Sequence, residues 1–171
     1  MSTRALTSRP FISVEEYLAS SYRPDCDYVD GHIEERNLGE RTHGRIQGRL
    51  MVLLAGQAQE GAEVLPEVRV QVKPSRFRIP DVCIALNDSD DPILTKPPFL
   101  CIEVLSPEDR MSRIEARIKD YVEMGALHVW VLNPQTKQAY VATADGLSEV
   151  KTGVLSTGNP TFEVQLAEVF R

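Results

Sequence analysis

Two apolar segments that each carry one carboxylate constrain the fold of this chain more than any other feature of its sequence. Residues 79–86 and 99–105 have the composition of buried strands; Asp81 lies near the start of the first segment and Glu103 near the end of the second. In an antiparallel pair, the start of one strand lies beside the end of its neighbour, and facing residues share one sum of residue numbers. An antiparallel pairing therefore predicts that Asp81 and Glu103 face each other.

The other residues of the two strands agree with this register. Cys83 and Cys101 have the same sum of residue numbers as the two acids, so the same pairing places both thiols on the face that carries the carboxylates. We expect the thiols to pack in the interior rather than to act as nucleophiles, because neither has an obvious activating base. The opposite face is entirely apolar and is expected to pack under a helix. It consists of Val82, Ile84, Leu86, Leu100, Ile102 and Val104.

The predicted pair of carboxylates needs a compensating charge. Two such groups repel each other by about 4 kcal/mol at roughly 4 Å and an effective dielectric constant near 20. Proteins relieve the repulsion with a proton, a basic partner or a bound cation. Mg²⁺ binds one or two carboxylates and keeps several waters, so Asp81 and Glu103 are candidate metal ligands. The alternative is that Asp81 caps the turn at Pro80 while Glu103 forms a salt bridge with an arginine; the residue types leave both interpretations open.

Length and charge limit the classes of protein to which this chain can belong. We expect one domain over residues 1–171, with a loose N-terminal arm at 1–12 and the folded part at 13–171. The formal net charge of −6 argues against binding of nucleic acid over the whole surface, but it leaves room for a local basic groove. No apolar run is long enough to span a bilayer and no secretory signal is visible, so we expect a cytoplasmic protein without membrane contact. Three cysteines without a CxxC motif favour reduced thiols over a structural zinc site.

Periodicity and turn residues predict a mixed α/β fold with an open sheet. Helices are predicted at 13–20, 41–59 and 106–124, the last with Ser106 as its N-cap residue and Gly125 at its end. Asp30-Gly31 predicts a type I′ hairpin turn within 28–33, and Asp145-Gly146 predicts a second hairpin. The predicted strands outside the first hairpin are 64–65, 67–72, 79–86, 99–105, 128–132, 138–143, 147–151 and 162–166.

Several short motifs occur in an order and spacing that resemble one known family. The matching stretches are Tyr28-Val29-Asp30-Gly31, His43-Gly44-Arg45-Ile46, Ile79-Pro80-Asp81-Val82, Ile102-Glu103-Val104-Leu105-Ser106-Pro107, Tyr121 with Gly125, Trp130-Val131-Leu132-Asn133-Pro134 and Leu166-Ala167-Glu168-Val169-Phe170. From residue 13 onward the chain resembles the Uma family of restriction-endonuclease-like proteins, within the PD-(D/E)XK nuclease superfamily. The resemblance implies a restriction-endonuclease-like core, with a central mixed sheet flanked by helices and additional β-hairpins. It also implies a phosphodiesterase site in which Asp81 and Glu103 bind Mg²⁺ or Mn²⁺.

The chain departs from the superfamily at its lysine. That lysine follows the acidic residue by two positions, where this chain has Leu105. The resemblance implies that the basic residue comes from the following helix, four residues before Tyr121, and this residue is Arg117. Arg113 lies one turn earlier on the same helix face, whereas Lys119, a fallback, lies about 200° around the helix. Arginine stays charged and can stabilise a phosphate, but it cannot readily act as a proton-transferring base.

Three further groups have both a functional and a structural interpretation. His43, with Arg45 close by on the predicted second helix, is a candidate contact of substrate phosphate or a proton relay; the alternative is a solvated basic helix face. Glu67 is a candidate third acidic group or the partner in a surface salt bridge. An acidic cluster is interpreted as a solvated hairpin; its members are Asp25, Asp27 and Asp30.

These observations favour a Mg²⁺- or Mn²⁺-dependent endonuclease that hydrolyses phosphodiester bonds of nucleic acid, with DNA as the expected substrate. The expected catalytic residues are Asp81, Glu103 and Arg117, and the expected contacts of substrate phosphate are His43, Arg45 and Arg113. Because the net charge is acidic, a homodimer is expected to supply part of the grip on DNA. The main alternative is an inactive nuclease fold that serves as a binding or regulatory module. A third possibility is a hydrolase of RNA or of a small phosphoester.

Overall fold

The computed structural model describes residues 10–37, 39–86 and 89–171. Within these residues the helices are Val14–Ala19 (α1), Arg41–Ala55 (α2), Met111–Met124 (α3) and Leu166–Val169 (α4). The strands are Asp27–Val29 (β1), His32–Glu34 (β2), Glu63–Pro66 (β3), Val70–Lys73 (β4), Arg76–Arg78 (β5), Val82–Ala85 (β6), Leu100–Val104 (β7), His128–Asn133 (β8), Gln138–Thr143 (β9), Gly146–Glu149 (β10), Val154–Ser156 (β11) and Glu163–Gln165 (β12).

Six strands form a mixed sheet at the centre of the fold, in the order β10-β9-β8-β7-β6-β3. Its neighbouring strands pair antiparallel except β7 and β8, which are parallel and are connected through α3. A parallel pair needs such a crossover, which is usually a helix. Four short strands form a small second sheet in the order β2-β1-β5-β4, and β11 pairs with β12. The predicted mixed α/β class is confirmed.

The antiparallel register predicted for β6 and β7 is also confirmed. Cys83 pairs with Cys101, and the pairs on either side follow the same register. Both thiols are buried and free. The apolar face of the two strands packs against α2 through Ile46, Leu50 and Leu54, as expected, while Cys101 packs on the opposite side among residues of α3. The alternation of side chains along the strands therefore separates an apolar layer from the layer that holds the carboxylates.

The third helix begins later than predicted, at Met111 instead of directly after Ser106. Asp109 explains the difference. Its carboxylate accepts hydrogen bonds from the Ser106 N–H (2.7 Å) and from the Asn37 side chain (2.8 Å), while its own N–H donates to the Ser106 carbonyl (3.0 Å). These bonds close a separate turn before the helix. The predicted end is confirmed, since Gly125 adopts a left-handed conformation with φ 105°.

The predicted hairpin at Asp30-Gly31 is confirmed, with φ values of 48° and 92° at the two residues. Its first strand, β1, also pairs with β5, a pairing that the sequence did not predict. Of the predicted loose arm, residues 1–9 lie outside the described residues. Ile12 is bound to the hairpin, because its N–H donates to the Gly31 carbonyl (2.9 Å) and its carbonyl accepts from the Tyr28 hydroxyl (2.7 Å).

No helix among the described residues is long and apolar enough to cross a membrane. Helix α2 spans 15 residues and ends at Ala55, earlier than the predicted 59. The single-domain assignment, the homodimer and the cytoplasmic location stay predictions.

We expect Leu50→Ala to lower the free energy of unfolding by about 3 kcal/mol, because Leu50 is fully buried among the apolar residues of the central sheet. Val52 lies on the same helix and is 74% exposed, so Val52→Ala is the matched control, with an expected change below about 0.5 kcal/mol. Urea denaturation of both variants measures the difference. A cost below about 1 kcal/mol for Leu50→Ala would contradict the packing of α2 on the sheet.

Candidate functional site

Asp81 and Glu103 are both buried at the junction of β6 and β7. Asp81 directly precedes β6, Glu103 lies near the end of β7, and the two residues are 3% and 1% exposed. The register of the two strands, extended by one residue, places them opposite each other. Facing residues of an antiparallel pair have Cβ atoms about 5 Å apart. The structure thus brings the two predicted carboxylates together.

Asp81 is held by hydrogen bonds from three directions. The Val104 N–H donates to Oδ2 (2.7 Å), and the Gln47 side chain donates to the main-chain oxygen of Asp81 (2.9 Å). Arg36, from the loop after β2, donates from Nη2 to Oδ1 (2.7 Å). His43 Nε2, from the first turns of α2, lies 3.3 Å from Oδ2. Asp81 is therefore a fixed carboxylate with two cationic side chains beside it.

Glu103 is held by two side chains from one face of α3. Arg117 donates from Nη1 to Oε2 (3.2 Å), and the Tyr121 hydroxyl donates to Oε1 (2.6 Å). These two residues are four positions apart, so they lie one above the other on the helix. Arg117, the residue that the resemblance places at the site, thus contacts Glu103 directly.

Asp27 is a third buried carboxylate, and the interpretation of the acidic cluster as a solvated hairpin is wrong for this residue. It is fully buried in β1. Its Oδ2 accepts from Arg117 Nε (3.2 Å) and from Arg78 Nη1 (3.1 Å), and its Oδ1 accepts from the Ile79 N–H (3.1 Å). The sequence did not predict this burial, because the partners of Asp27 come from β5, from the residue after it and from α3. Asp27 consequently fixes the second edge of the Arg117 guanidinium.

The ion network continues beyond Asp27 through the small sheet. Arg78 donates from Nε to Asp120 Oδ2 (2.7 Å), and Arg76 donates from Nη1 to Asp120 Oδ1 (2.9 Å). Asp120 and Arg117 are both on α3, so charges of alternating sign connect this helix to β1 and β5. The sequence did contain a signal for this network. Arg76 and Arg78 are two positions apart and directly precede the buried segment that contains Asp81. An arginine that is buried in such a segment requires a carboxylate partner.

The surroundings of the two central carboxyl groups move their pKa values in opposite directions. Burial raises the pKa of Glu103 to about 7, although the charge of Arg117 opposes this rise. Burial also raises the pKa of Asp81, but the hydrogen bond from His43 and the charge of Arg36 lower it by more, so it lies below its ordinary value. The hydrogen bond to Asp81 raises the pKa of His43 against the effect of its burial. Carboxyl pairs with pKa values pushed apart are typical of active sites.

A cleft of about 140 Å³ opens beside Asp81. Arg36, His43 and Arg117 line it beside the fixed carboxylate, together with the acidic residues Glu40 and Asp109. Glu67 lies at the same cleft with its side chain half exposed, and its Oε1 is 3.5 Å from Arg36 Nη1. Glu67 therefore forms a salt bridge, as one of its two interpretations predicted. Its position at the cleft is also the one that a third acidic group of the site would need.

Two of the predicted phosphate contacts are not among the described residues that line this cleft. Arg45 is exposed on α2, two residues beyond His43 and therefore on another face of the helix. Arg113 is partly exposed and donates to the Glu35 carbonyl (2.8 Å), which places it beside the loop after β2. Lys119, the fallback for the missing lysine, is exposed in a surface ion pair within α3.

Asp81 and Glu103 fit a divalent cation by donor type, since Mg²⁺ prefers oxygen ligands and needs only one or two carboxylates. Each of their four oxygens, however, already accepts a hydrogen bond from a protein group. At Asp81 the guanidinium of Arg36 occupies the cation position. Among the described residues there is no group of three or more His, Cys, Asp or Glu side chains that could hold a metal ion. The two acids therefore match Mg²⁺ by donor type, but a cation must displace a protein hydrogen-bond donor from each carboxylate that it binds.

Comparison with known proteins confirms the resemblance that the sequence motifs indicated. The model of the Uma2 family, described as "Putative restriction endonuclease", matches residues 14–168. The chain belongs to the Uma2 family. Its structure is similar to that of a protein from Anabaena variabilis described as "a putative nuclease belonging to DUF820", with a TM-score of 0.79 and 17% identity over 93% of this chain and 97% of that chain. This likeness confirms the expected fold, and no curated protein matches the chain.

The raised pKa of Glu103 predicts a specific pH dependence of stability. Between its ordinary value of 4.5 and about 7, the carboxyl binds more protons in the folded state than in the unfolded state, so stability falls as pH rises through this window. The expected loss is about 3 kcal/mol. Urea denaturation at several pH values measures it.

Two variants separate Glu103 from the other titrating groups. Glu103→Gln is expected to remove most of the loss of stability with rising pH. Glu115→Gln, at an exposed position of α3, is expected to show the same loss as wild type. His43, whose pKa is also raised, adds a loss in the same direction above its ordinary value and is present in both variants. Identical pH profiles for the two variants would contradict the raised pKa of Glu103.

Proposed function

We propose that this member of the Uma2 family is a Mg²⁺- or Mn²⁺-dependent endonuclease that hydrolyses phosphodiester bonds of nucleic acid, with DNA as its substrate. The proposal depends on one observation: the facing carboxylates Asp81 and Glu103 lie among the cationic side chains of Arg36, His43 and Arg117. Carboxylates suit a divalent cation and arginines suit a phosphate, and a phosphodiesterase of this class needs both. The description of the family as a restriction endonuclease supports the same conclusion.

Asp81 and Glu103 are the residues that would hold the metal ion. When bound, such an ion supplies Lewis-acid polarisation of the scissile phosphate and lowers the pKa of a water molecule. The chain itself fixes the two carboxylates, because the Val104 N–H binds Asp81 and the Tyr121 hydroxyl binds Glu103. Neither bond involves a long flexible side chain, so the distance between the two acids is set by the strand pairing.

Arg117 is the proposed stabiliser of charge on the phosphate. It donates one N–H to Asp27 and one to Glu103, and it also lines the cleft. A guanidinium has five N–H donors, so donors remain for a phosphate oxygen. The charge that develops on the phosphate in the transition state strengthens these bonds. Arg117 is not assigned as a base, since it does not release its proton.

His43 and the two outer arginines are proposed to position the substrate. His43 lies at the cleft, and its raised pKa favours the protonated ring, which can donate to a phosphate oxygen. Arg113, beside the loop after β2, and Arg45, exposed on α2, are assigned to phosphates farther along the strand. A homodimer is proposed to lengthen this grip, because the chain has a net charge of −6.

A second candidate function is a nuclease fold that binds nucleic acid or a protein without turnover. The observation that favours it is the saturation of the site: all four oxygens of Asp81 and Glu103 accept hydrogen bonds, and Leu105 occupies the position of the superfamily lysine. Such an arrangement is stable without a metal. The two candidates differ in one measurable property, which is cleavage.

We expect the protein to cleave DNA in the presence of Mn²⁺ or Mg²⁺ and to lose cleavage when EDTA removes the metal. Asp81→Asn and Glu103→Gln are each expected to lower the rate by at least about a hundredfold. Glu115→Gln removes an exposed carboxylate of α3 and is expected to keep the wild-type rate. The assay compares plasmid DNA, single-stranded DNA, RNA and bis(p-nitrophenyl) phosphate under the same metal.

The outcomes separate the alternatives. Cleavage confined to RNA or to the small diester would correct the substrate and leave the metal site in place. Binding of DNA without cleavage of any substrate would favour the module without turnover. Equal cleavage by wild type and Asp81→Asn would show that the activity does not come from this site.

We expect Arg117→Lys to retain about a tenth of the activity and Arg117→Met to lose at least about a hundredfold. A lysine keeps the positive charge, but its single ammonium cannot bind Asp27 and Glu103 through separate nitrogens in a plane, as Arg117 does. Lys119→Met, at an exposed position of the same helix, is the control and is expected to leave the rate unchanged. Circular dichroism melting shows whether each variant is folded. Full activity in a folded Arg117→Met protein would remove Arg117 from the mechanism.

A further inference from the structure

Arg36 is a buried cation that neither the sequence pattern nor the family resemblance assigned to the site. It follows β2, and its side chain is 9% exposed. Nη2 donates to Asp81 Oδ1 (2.7 Å), and Nη1 lies 3.5 Å from Glu67 Oε1. Burial lowers the pKa of Arg36, but the surrounding carboxylates, with Asp81 and Glu103 foremost, raise it by more. The group is therefore a permanent positive charge between an inner and an outer carboxylate.

The two oxygens of Asp81 have different kinds of partner. Oδ2 accepts from the Val104 N–H (2.7 Å) and lies 3.3 Å from His43 Nε2, and both partners belong to regular elements. Within the described part of the chain, Oδ1 accepts from Arg36 alone. Oδ1 is thus the oxygen that a divalent cation can take with the fewest changes. It competes there with the guanidinium, because two cations beside one oxygen repel each other.

We propose that Arg36 is an exchangeable cation that holds Asp81 in the metal-free protein and moves to the substrate phosphate when a divalent metal binds Asp81. The inference rests on the proposed function, because it takes Asp81 as a metal ligand. Arginine suits the exchange, since its forked guanidinium binds a carboxylate or a phosphate with the same geometry.

Glu67 makes the exchange possible without leaving Arg36 unpaired. Its side chain is half exposed at the cleft and already lies within ion-pair distance of Nη1. When Nη2 leaves Asp81, the guanidinium keeps this outer partner and frees donors toward the cleft. The Arg36 side chain therefore moves only a short way, from Asp81 on the inner wall of the cleft toward Glu67 and the phosphate at its rim.

The exchange couples the binding of metal to the binding of phosphate. Metal binding must break the Arg36–Asp81 ion pair, and a phosphate that accepts the released guanidinium recovers part of that loss. By linkage, metal and phosphate then raise each other's affinity by the same factor. The metal-free protein is expected to bind divalent cations weakly until a phosphate is present.

Calorimetric titration with MnCl₂ tests the inference directly. Arg36→Gln is expected to bind Mn²⁺ at least about tenfold more tightly than wild type, because the competing cation is gone. The gain is expected to vanish in the Arg36→Gln, Asp81→Asn double variant. Lys151→Gln removes one positive charge from an exposed hairpin position and is expected to bind Mn²⁺ like wild type. Dimethyl phosphate is expected to tighten Mn²⁺ binding to wild type by a larger factor than to Arg36→Gln, in which Arg117 and His43 remain as phosphate contacts.

Arg36→Lys keeps the experiment decisive if Arg36→Gln does not fold. An ammonium holds Asp81 through one nitrogen, so this variant is expected to bind Mn²⁺ more tightly than wild type and less tightly than Arg36→Gln. Equal, Asp81-dependent Mn²⁺ affinity in wild type and the Arg36 variants would overturn the inference and leave the metal site standing. Absence of Asp81-dependent binding in every variant would overturn the metal site of the proposed function itself. An effect of dimethyl phosphate that is equal in wild type and Arg36→Gln would remove Arg36 from phosphate binding.

Discussion

The buried carboxylates of Asp81, Glu103 and Asp27 are the constraint on which the rest of the structure depends. A charge removed from water is tolerated only when it is paired, and each of these three is paired with an arginine from another element. Arg117 binds two of them, so it joins α3 to the central sheet through Glu103 and to the small sheet through Asp27. The position of the small sheet follows from this, and the loop after its edge strand then carries Arg36 to Asp81. The shape of the cleft thus depends on ion pairs that join α3, the two sheets and the loop after β2, and not on a single loop.

The same pairing explains why arginine is suitable at position 117. Nε is directed at Asp27 and Nη1 at Glu103, so the planar guanidinium binds the two carboxylates through separate nitrogens. The burial of Asp27 and the orientation of Arg117 toward Glu103 are therefore two aspects of one arrangement. A consequence is that the charge of Arg117 is constant with pH, whereas burial raises the pKa of Glu103 to about 7 and the hydrogen bond to Asp81 raises the pKa of His43.

The sequence predicts those parts of the fold that depend on neighbours along the chain. The register of β6 and β7 follows from the alternation within two short strands, and the turn at Asp30-Gly31 follows from backbone preference. Prediction fails where the deciding partner is distant. Asp109 closes a turn because it also binds Asn37, 72 residues away, and Arg36 reaches Asp81 across 45 residues. The two central acids were predictable because charges are rare inside apolar strands. Of their cationic partners, the family resemblance indicated Arg117 and His43, whereas no local pattern indicated Arg36, which reaches Asp81 from the loop after β2.

Charge limits how this protein can hold nucleic acid. The chain carries −6, and its cleft combines Arg36, His43 and Arg117 with acidic side chains, which are Glu40, Glu67, Asp81 and Asp109. At physiological salt, exposed charges are screened beyond about 8 Å, so a phosphate inside the cleft responds to the side chains of the cleft and little to distant charges. Binding of a longer strand depends on the number of phosphates that cationic side chains neutralise. A second protomer repeats the cations at a fixed distance without adding basic surface elsewhere, and this is the physical argument for the proposed homodimer.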